Sequence, residues 1–168
     1  MPNLSLDPQR RTSPENEAHF DLSHLDIFVG QWRMSGRQLD SPLGADKTLE
    51  GHQTVEWLQG DRFLLMKLEG CLGQNEAGCA EITGASPNGH GYRVQAFYSD
   101  GSHREWKLGE RDGIWIRTSG DEADGVAVRT RCLTTFTPGG LSQNSRWEYS
   151  PDGEIWTPFC ETICTRVR

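Results

Sequence analysis

The chain has 168 residues, a formal net charge of −7, 19 glycines and 6 tryptophans. The negative balance argues against a nucleic-acid or anionic-membrane partner, because both need a basic footprint. A domain of this length buries a working core without staples, and abundant glycine with large aromatics suits short strands and tight turns.

Residues 1–19 mix Pro, Arg, Asn and Glu without any period and read as a disordered tail, leaving one domain over 20–168. They hold no signal-peptide pattern, and no stretch approaches the ~18 apolar residues of a membrane span, so a cytoplasmic address is expected. From Asp21 the text changes. Leu22, Leu25, Ile27 and Phe28 give a short amphipathic helix that Asp21 or Ser23 can cap, and Val29-Gly30 ends it. Placed before a barrel, such a helix plugs one open end.

Short strands follow. The first runs over Gln31–Leu39 and the second over Thr48–Gln59, with Val55 and Trp57 on one side and Thr54, Glu56 and Leu58 on the other. Gly60-Asp61 turns the chain into Arg62–Leu68, and a short strand covers Cys79–Gly84 after a loop at Gly73–Gly78. Tyr92, Val94, Ala96 and Tyr98 share a face, as do Val126, Val128, Thr130, Cys132, Thr134 and Phe136 further on. Asp100-Gly101, Asp112-Gly113, Pro138-Gly139-Gly140 and Asp152-Gly153 mark the remaining turns. The last strand, Glu154–Val167, bends at Pro158. About ten strands joined by hairpin-sized loops predict an all-β, closed up-and-down antiparallel barrel, since closure removes the exposed edges.

Five cysteines suit a reducing compartment as free thiols, although Cys71 and Cys79 flank a loop that a disulfide could staple. Cys160 and Cys164 lie ~13 Å apart on one strand face, too far to share a zinc ion. No metal site and no cofactor motif is expected. Ser99 and Ser102 sit at a hairpin turn, outside any nucleophile elbow.

Trp57, Tyr92, Tyr98, Trp106, Trp115, Trp147 and Tyr149 exceed what a plain core needs and suit the wall of a small-molecule cavity. Trp32 opens the first strand and Arg166 ends the last, so a guanidinium lying over an indole would lock the closed barrel. His52 and Glu56 share a strand face with Thr54 between them. Facing inward they would be general acid and base, with Tyr98 as a further candidate; facing outward they are ordinary solvated residues.

Gly30-x-Trp32 after a short helix, with Arg166 near the C-terminus, resembles the calycin superfamily of lipocalins and fatty-acid-binding proteins. A wider set is similar to an uncharacterised, mainly bacterial family called domain of unknown function 1579. It comprises Gly51-His52-x-Thr54-x-Glu56-Trp57-Leu58-x-Gly60, Phe63-Leu64, Tyr98-Ser99-x-Gly101 and Thr165-Arg166-Val167, within residues 22 to 168. That family brings no established function. The fatty-acid-binding likeness implies an inward Arg166 that meets a ligand carboxylate, but the Tyr usually found two residues on is Arg168 here. A haem-binding relative would require a late His, and the last one here is His103.

The expected function is binding of a small, mostly apolar ligand, with or without a carboxylate, in the barrel cavity. Trp57, Tyr98, Trp106 and Trp147 would supply the wall, and Arg104 or Arg166 would orient an acid group. The alternative is a cavity enzyme of isomerase or cyclase type using His52 and Glu56. Self-association stays open.

Overall fold

A computed structural model describes residues 21–119 and 128–167. Ten strands follow one another: β1 (Gly30–Gln38), β2 (Lys47–Trp57), β3 (Phe63–Leu72), β4 (Asn75–Ala85), β5 (Tyr92–Tyr98), β6 (His103–Arg111), β7 (Ile114–Ser119), β8 (Arg129–Phe136), β9 (Ser142–Ser150) and β10 (Thr157–Arg166). Each pairs antiparallel with its sequence neighbours, and β1 pairs with β10 to close the barrel. The seam sets Trp32 opposite Arg166 and Gln38 opposite Cys160. The closed meander expected from the hairpin spacing is the fold.

Turn chemistry explains the register. Asp112 (φ 54°) and Gly113 (φ 79°) both take left-handed backbone, so Arg111 pairs directly with Ile114 across a two-residue turn whose twist matches the strands. Alternation then selects the inner face. Tyr92, Val94 and Ala96 are buried on β5, as are Trp106 and Leu108 on β6.

Several boundaries differ from the sequence reading. The N-terminal helix is a six-residue 3₁₀ segment, Ser23–Phe28, with no side-chain cap on its first turn; Asp21 accepts from the Ser23 N–H just ahead of it. Only Leu25 of that segment is fully buried, so packing on the barrel rather than helical propensity sustains it. β4 begins at Asn75, because the Gly73–Gly78 stretch is mostly strand and Leu72 pairs with Asn75. β10 begins only at Thr157. Asp152 accepts from the N–H groups of Glu154 and Ile155 and extends the turn. The bend expected at Pro158 is a register shift between Pro158 and Cys160. Val126 lies outside the described residues.

The 3₁₀ segment seals one end. Phe28 meets Trp115 and Phe136 edge-on at centroid distances of 4.8 and 5.1 Å. Trp32 Nε1 donates to the Phe28 carbonyl at 2.9 Å, and Trp57 Nε1 donates to Asp26 at 2.8 Å. Arg166 lies 4.1 Å over the Trp32 ring and donates to the carbonyls of Ile27, Val29 and Gly140. A Cβ at Gly30 (φ +139°) would fall 2.4 Å from Arg166 Nη1, which is why glycine precedes Trp32 by two residues.

Candidate functional site

Ten strands enclose more space than their side chains fill. The interior is a cavity of about 570 Å³. One wall is apolar, made by Met34, Leu49, Val55, Leu64, Met66 and Leu68 from β1 to β3. The opposite wall carries polar groups among aromatic rings. Trp106 and Trp147 meet edge-on with centroids 5.5 Å apart, and Trp106 Nε1 donates to the Tyr98 hydroxyl at 3.3 Å.

Glu81 and Arg117 stand at the centre of this wall. Arg117 Nη1 and Nη2 each donate to one oxygen of the Glu81 carboxylate at 2.7 Å, a two-pronged pair. The Glu81 side chain is 5% exposed and that of Arg117 20%, and both line the cavity. Burial alone would lower the guanidinium pKa, but the facing carboxylate outweighs it and holds Arg117 above its ordinary value. The guanidinium also sits 5.8 Å from the Trp147 ring. The pair leaves the middle of the cavity formally neutral.

Among the described residues, two buried side-chain polar atoms have no hydrogen-bond partner: Thr130 Oγ1 and Gln143 Nε2. Both residues line the cavity. Thr134 and Ser145, by contrast, share a hydroxyl hydrogen bond of 2.8 Å.

Four of the five cysteines, Cys79, Cys132, Cys160 and Cys164, also face the cavity. Burial pushes the Cys79 thiol up to about 12, with the Glu81 carboxylate adding to the effect. Burial likewise pushes Cys132, Cys160 and Cys164 up to about 11. At neutral pH they are therefore protonated thiols. All five cysteines are free, and Cys71 is exposed whereas Cys79 lines the cavity, so the loop staple does not form. Among the described residues no group of three or more His, Cys, Asp or Glu could hold a metal ion.

The structure sorts the residues expected from sequence. Tyr98, Trp106 and Trp147 line the cavity, and Arg104 stands with Asp100 and Ser102 among its lining residues while remaining exposed. Trp115 lines it as well. Trp57 does not, because its indole is tied to Asp26 of the 3₁₀ segment. Tyr92 belongs to the sealed end against Trp115, and Tyr149 packs on Phe159. Arg166 is not in the cavity either. Its nitrogens are occupied by backbone carbonyls behind Trp32, so the inward anchor implied by the fatty-acid-binding likeness is absent. His52 and Glu56 are exposed on the outer face of β2, because Gly51, Gln53 and Val55 take the inner positions. The acid–base pair therefore does not meet the cavity. Tyr98 remains there, but burial pushes its phenol up, with Glu81 adding and the Trp106 N–H only partly offsetting.

Glu81, Arg117 and Gln143 escaped the sequence reading. In Ala80-Glu81-Ile82 the apolar Ile82 reads as the inward residue, yet it is 36% exposed and Glu81 is buried. A usable signal was the shared parity of Trp115 with Arg117, and of Trp147 with Gln143.

No protein-family model matches the chain, and no curated protein matches it. Among solved structures it is similar to the S-type phycobiliprotein lyase CPES from Guillardia theta, at 9% identity and a TM-score of 0.57 over 87% of this chain and 92% of that one. It is also similar to a de novo designed fluorescence-activating β-barrel, at 15% identity and a TM-score of 0.46 over 88% of this chain and all of that one. At this identity the first likeness shows a common barrel fold and nothing about activity; the second carries no argument.

Proposed function

We propose that this barrel binds a small, mostly apolar molecule in its interior. The observation that carries the reading is the cavity of about 570 Å³, a volume in the range of small-molecule sites. Met34, Leu64 and Met66 on one side and Trp106 and Trp147 on the other supply apolar contact. Tyr98, Thr130 and Gln143 supply the few polar groups that fix orientation. Arg104, exposed among the lining residues, can meet a charged end of the ligand. The charge of −7 supports a small-molecule partner over nucleic acid or an anionic membrane, and free thiols suit the cytoplasm. Among the described residues no helix is long and apolar enough to cross a membrane. Gly30-x-Trp32 with Arg166 supports placing the chain among the calycins.

The test is mass spectrometry of the purified protein, native and then denatured, with tryptophan fluorescence titration by 2-ethylnaphthalene as the second arm. Binding in either arm is expected. A chain that carries no small molecule and does not respond to the naphthalene overturns the reading.

A further inference from the structure

We propose that the sealed end of the cavity is a recognition subsite for an uncharged carbonyl group, which the Gln143 carboxamide binds. The inference rests on the container reading above and specifies which part of the ligand enters first.

Gln143 is 4% exposed, lines the cavity, and its Nε2 has no hydrogen-bond partner. A buried donor left without an acceptor keeps its desolvation cost uncompensated, so a partner is expected from outside the protein. Its position in the fold fixes where that partner would sit. Gln143, the second residue of β9, pairs with Phe136, whose ring packs on Phe28 of the sealing segment. On its other side it pairs with Cys164 of β10. The Cys164 thiol points toward Gln53 Oε1 at 3.8 Å, so two carboxamides flank one neutral thiol at the floor.

Charge decides the ligand class. Among the described residues the cavity is lined by two cations, Arg117 and Arg104, and by no Lys or His. Arg117 is held by Glu81, and Arg104 is exposed. Arg166 is the cation of the sealed end, but it lies over Trp32 and donates to three backbone carbonyls. A carboxylate at the floor would therefore be a buried anion without a counter-charge. An amide, ketone or lactam oxygen needs only the N–H that Gln143 offers. The ligand enters carbonyl first, and any ionic group on it trails toward Arg104.

Three probes sharing one ring system test this: 2-naphthamide, 2-naphthoate and 2-ethylnaphthalene, titrated by tryptophan fluorescence and by calorimetry against the full chain and Gln143→Leu. The expected result is that 2-naphthamide binds tighter than 2-naphthoate. Gln143→Leu should weaken 2-naphthamide by about 3- to 10-fold while leaving 2-ethylnaphthalene unchanged or tighter. Equal or tighter binding of 2-naphthoate overturns the inference. So does an amide affinity insensitive to Gln143→Leu, or an equal loss for all three probes. If none of the three binds the unmodified chain, the subsite is overturned, and the container reading falls with it only when the purified chain also carries no small molecule. Circular dichroism checks that Gln143→Leu folds, and Gln143→Met replaces it if not.

Discussion

Arg117 on β7 reaches through the barrel to Glu81 on β4, passing two intervening strands and closing both guanidinium–carboxylate hydrogen bonds at 2.7 Å. This chord ties β4 to β7 without covalent linkage. Removing one partner strands the other charge in a buried site. Arg117→Ala should therefore lose about 3–5 kcal/mol in urea unfolding, and Glu81→Leu a comparable amount. The double variant Glu81→Leu/Arg117→Leu should lose much less than the sum. Additive losses would show that the two side chains act separately.

Arg166→Lys should destabilise the fold despite keeping the charge. Lysine lacks the planar fork that reaches the carbonyls of Ile27, Val29 and Gly140 while lying flat on Trp32. A loss of about 1–3 kcal/mol in urea unfolding is expected, with ligand-site fluorescence titrations unchanged. A large change in ligand affinity with no change in stability would contradict the structural role.

His52→Ala and Glu56→Gln should leave both stability and probe binding within about 0.5 kcal/mol of the unmodified chain, because both side chains are exposed on the outer face of β2. A loss of binding in either would mean that the outer face takes part.

The cavity thiols make a pH prediction. Their ordinary pKa is 9.0, and in the folded chain burial pushes Cys132 up to about 11. Cys160 and Cys164 are pushed equally far by burial, with Cys132 adding. A raised folded pKa means the unfolded chain loses its protons first as pH rises. The stabilisation is complete below pH 9 and disappears as pH climbs through about 11. Thermal midpoints should fall across that window, and Cys132→Ala, though less stable at pH 7, should show a shallower fall, by on the order of 1–3 kcal/mol. A parallel fall in both proteins would locate the alkaline loss elsewhere.

The barrel was legible because its signals are local. Asp112-Gly113 dictates a two-residue turn, and Tyr92, Val94 and Ala96 alternate cleanly, so neither needs the rest of the chain to be read. Trp32 and Arg166 could be paired because closure brings the first and last strands together. The polar interior was less legible. Glu81 faces inward because Arg117, three strands away in the sheet, neutralises it there, and no local pattern encodes such a partner. The outward facing of His52 and Glu56 was decidable from Val55, since a period of two forces neighbours to opposite faces. The ligand role offered for Arg166 fails because its nitrogens are taken by the backbone carbonyls of Ile27, Val29 and Gly140, and backbone acceptors leave no mark in a sequence.

The seam between β1 and β10 carries a kinetic consequence. Val29 and Arg166, joined there by a hydrogen bond, lie 137 residues apart in the chain. Nearest-neighbour hairpins can zip early and cheaply, yet the ring cannot shut until the final strand has been made. Until then β1 and β9 each present an open edge on which another chain could pair. Folding should thus finish in a slow closing step, in the millisecond-to-second range roughly expected for such non-local β pairing, and the hazard of aggregation is concentrated in the interval before it.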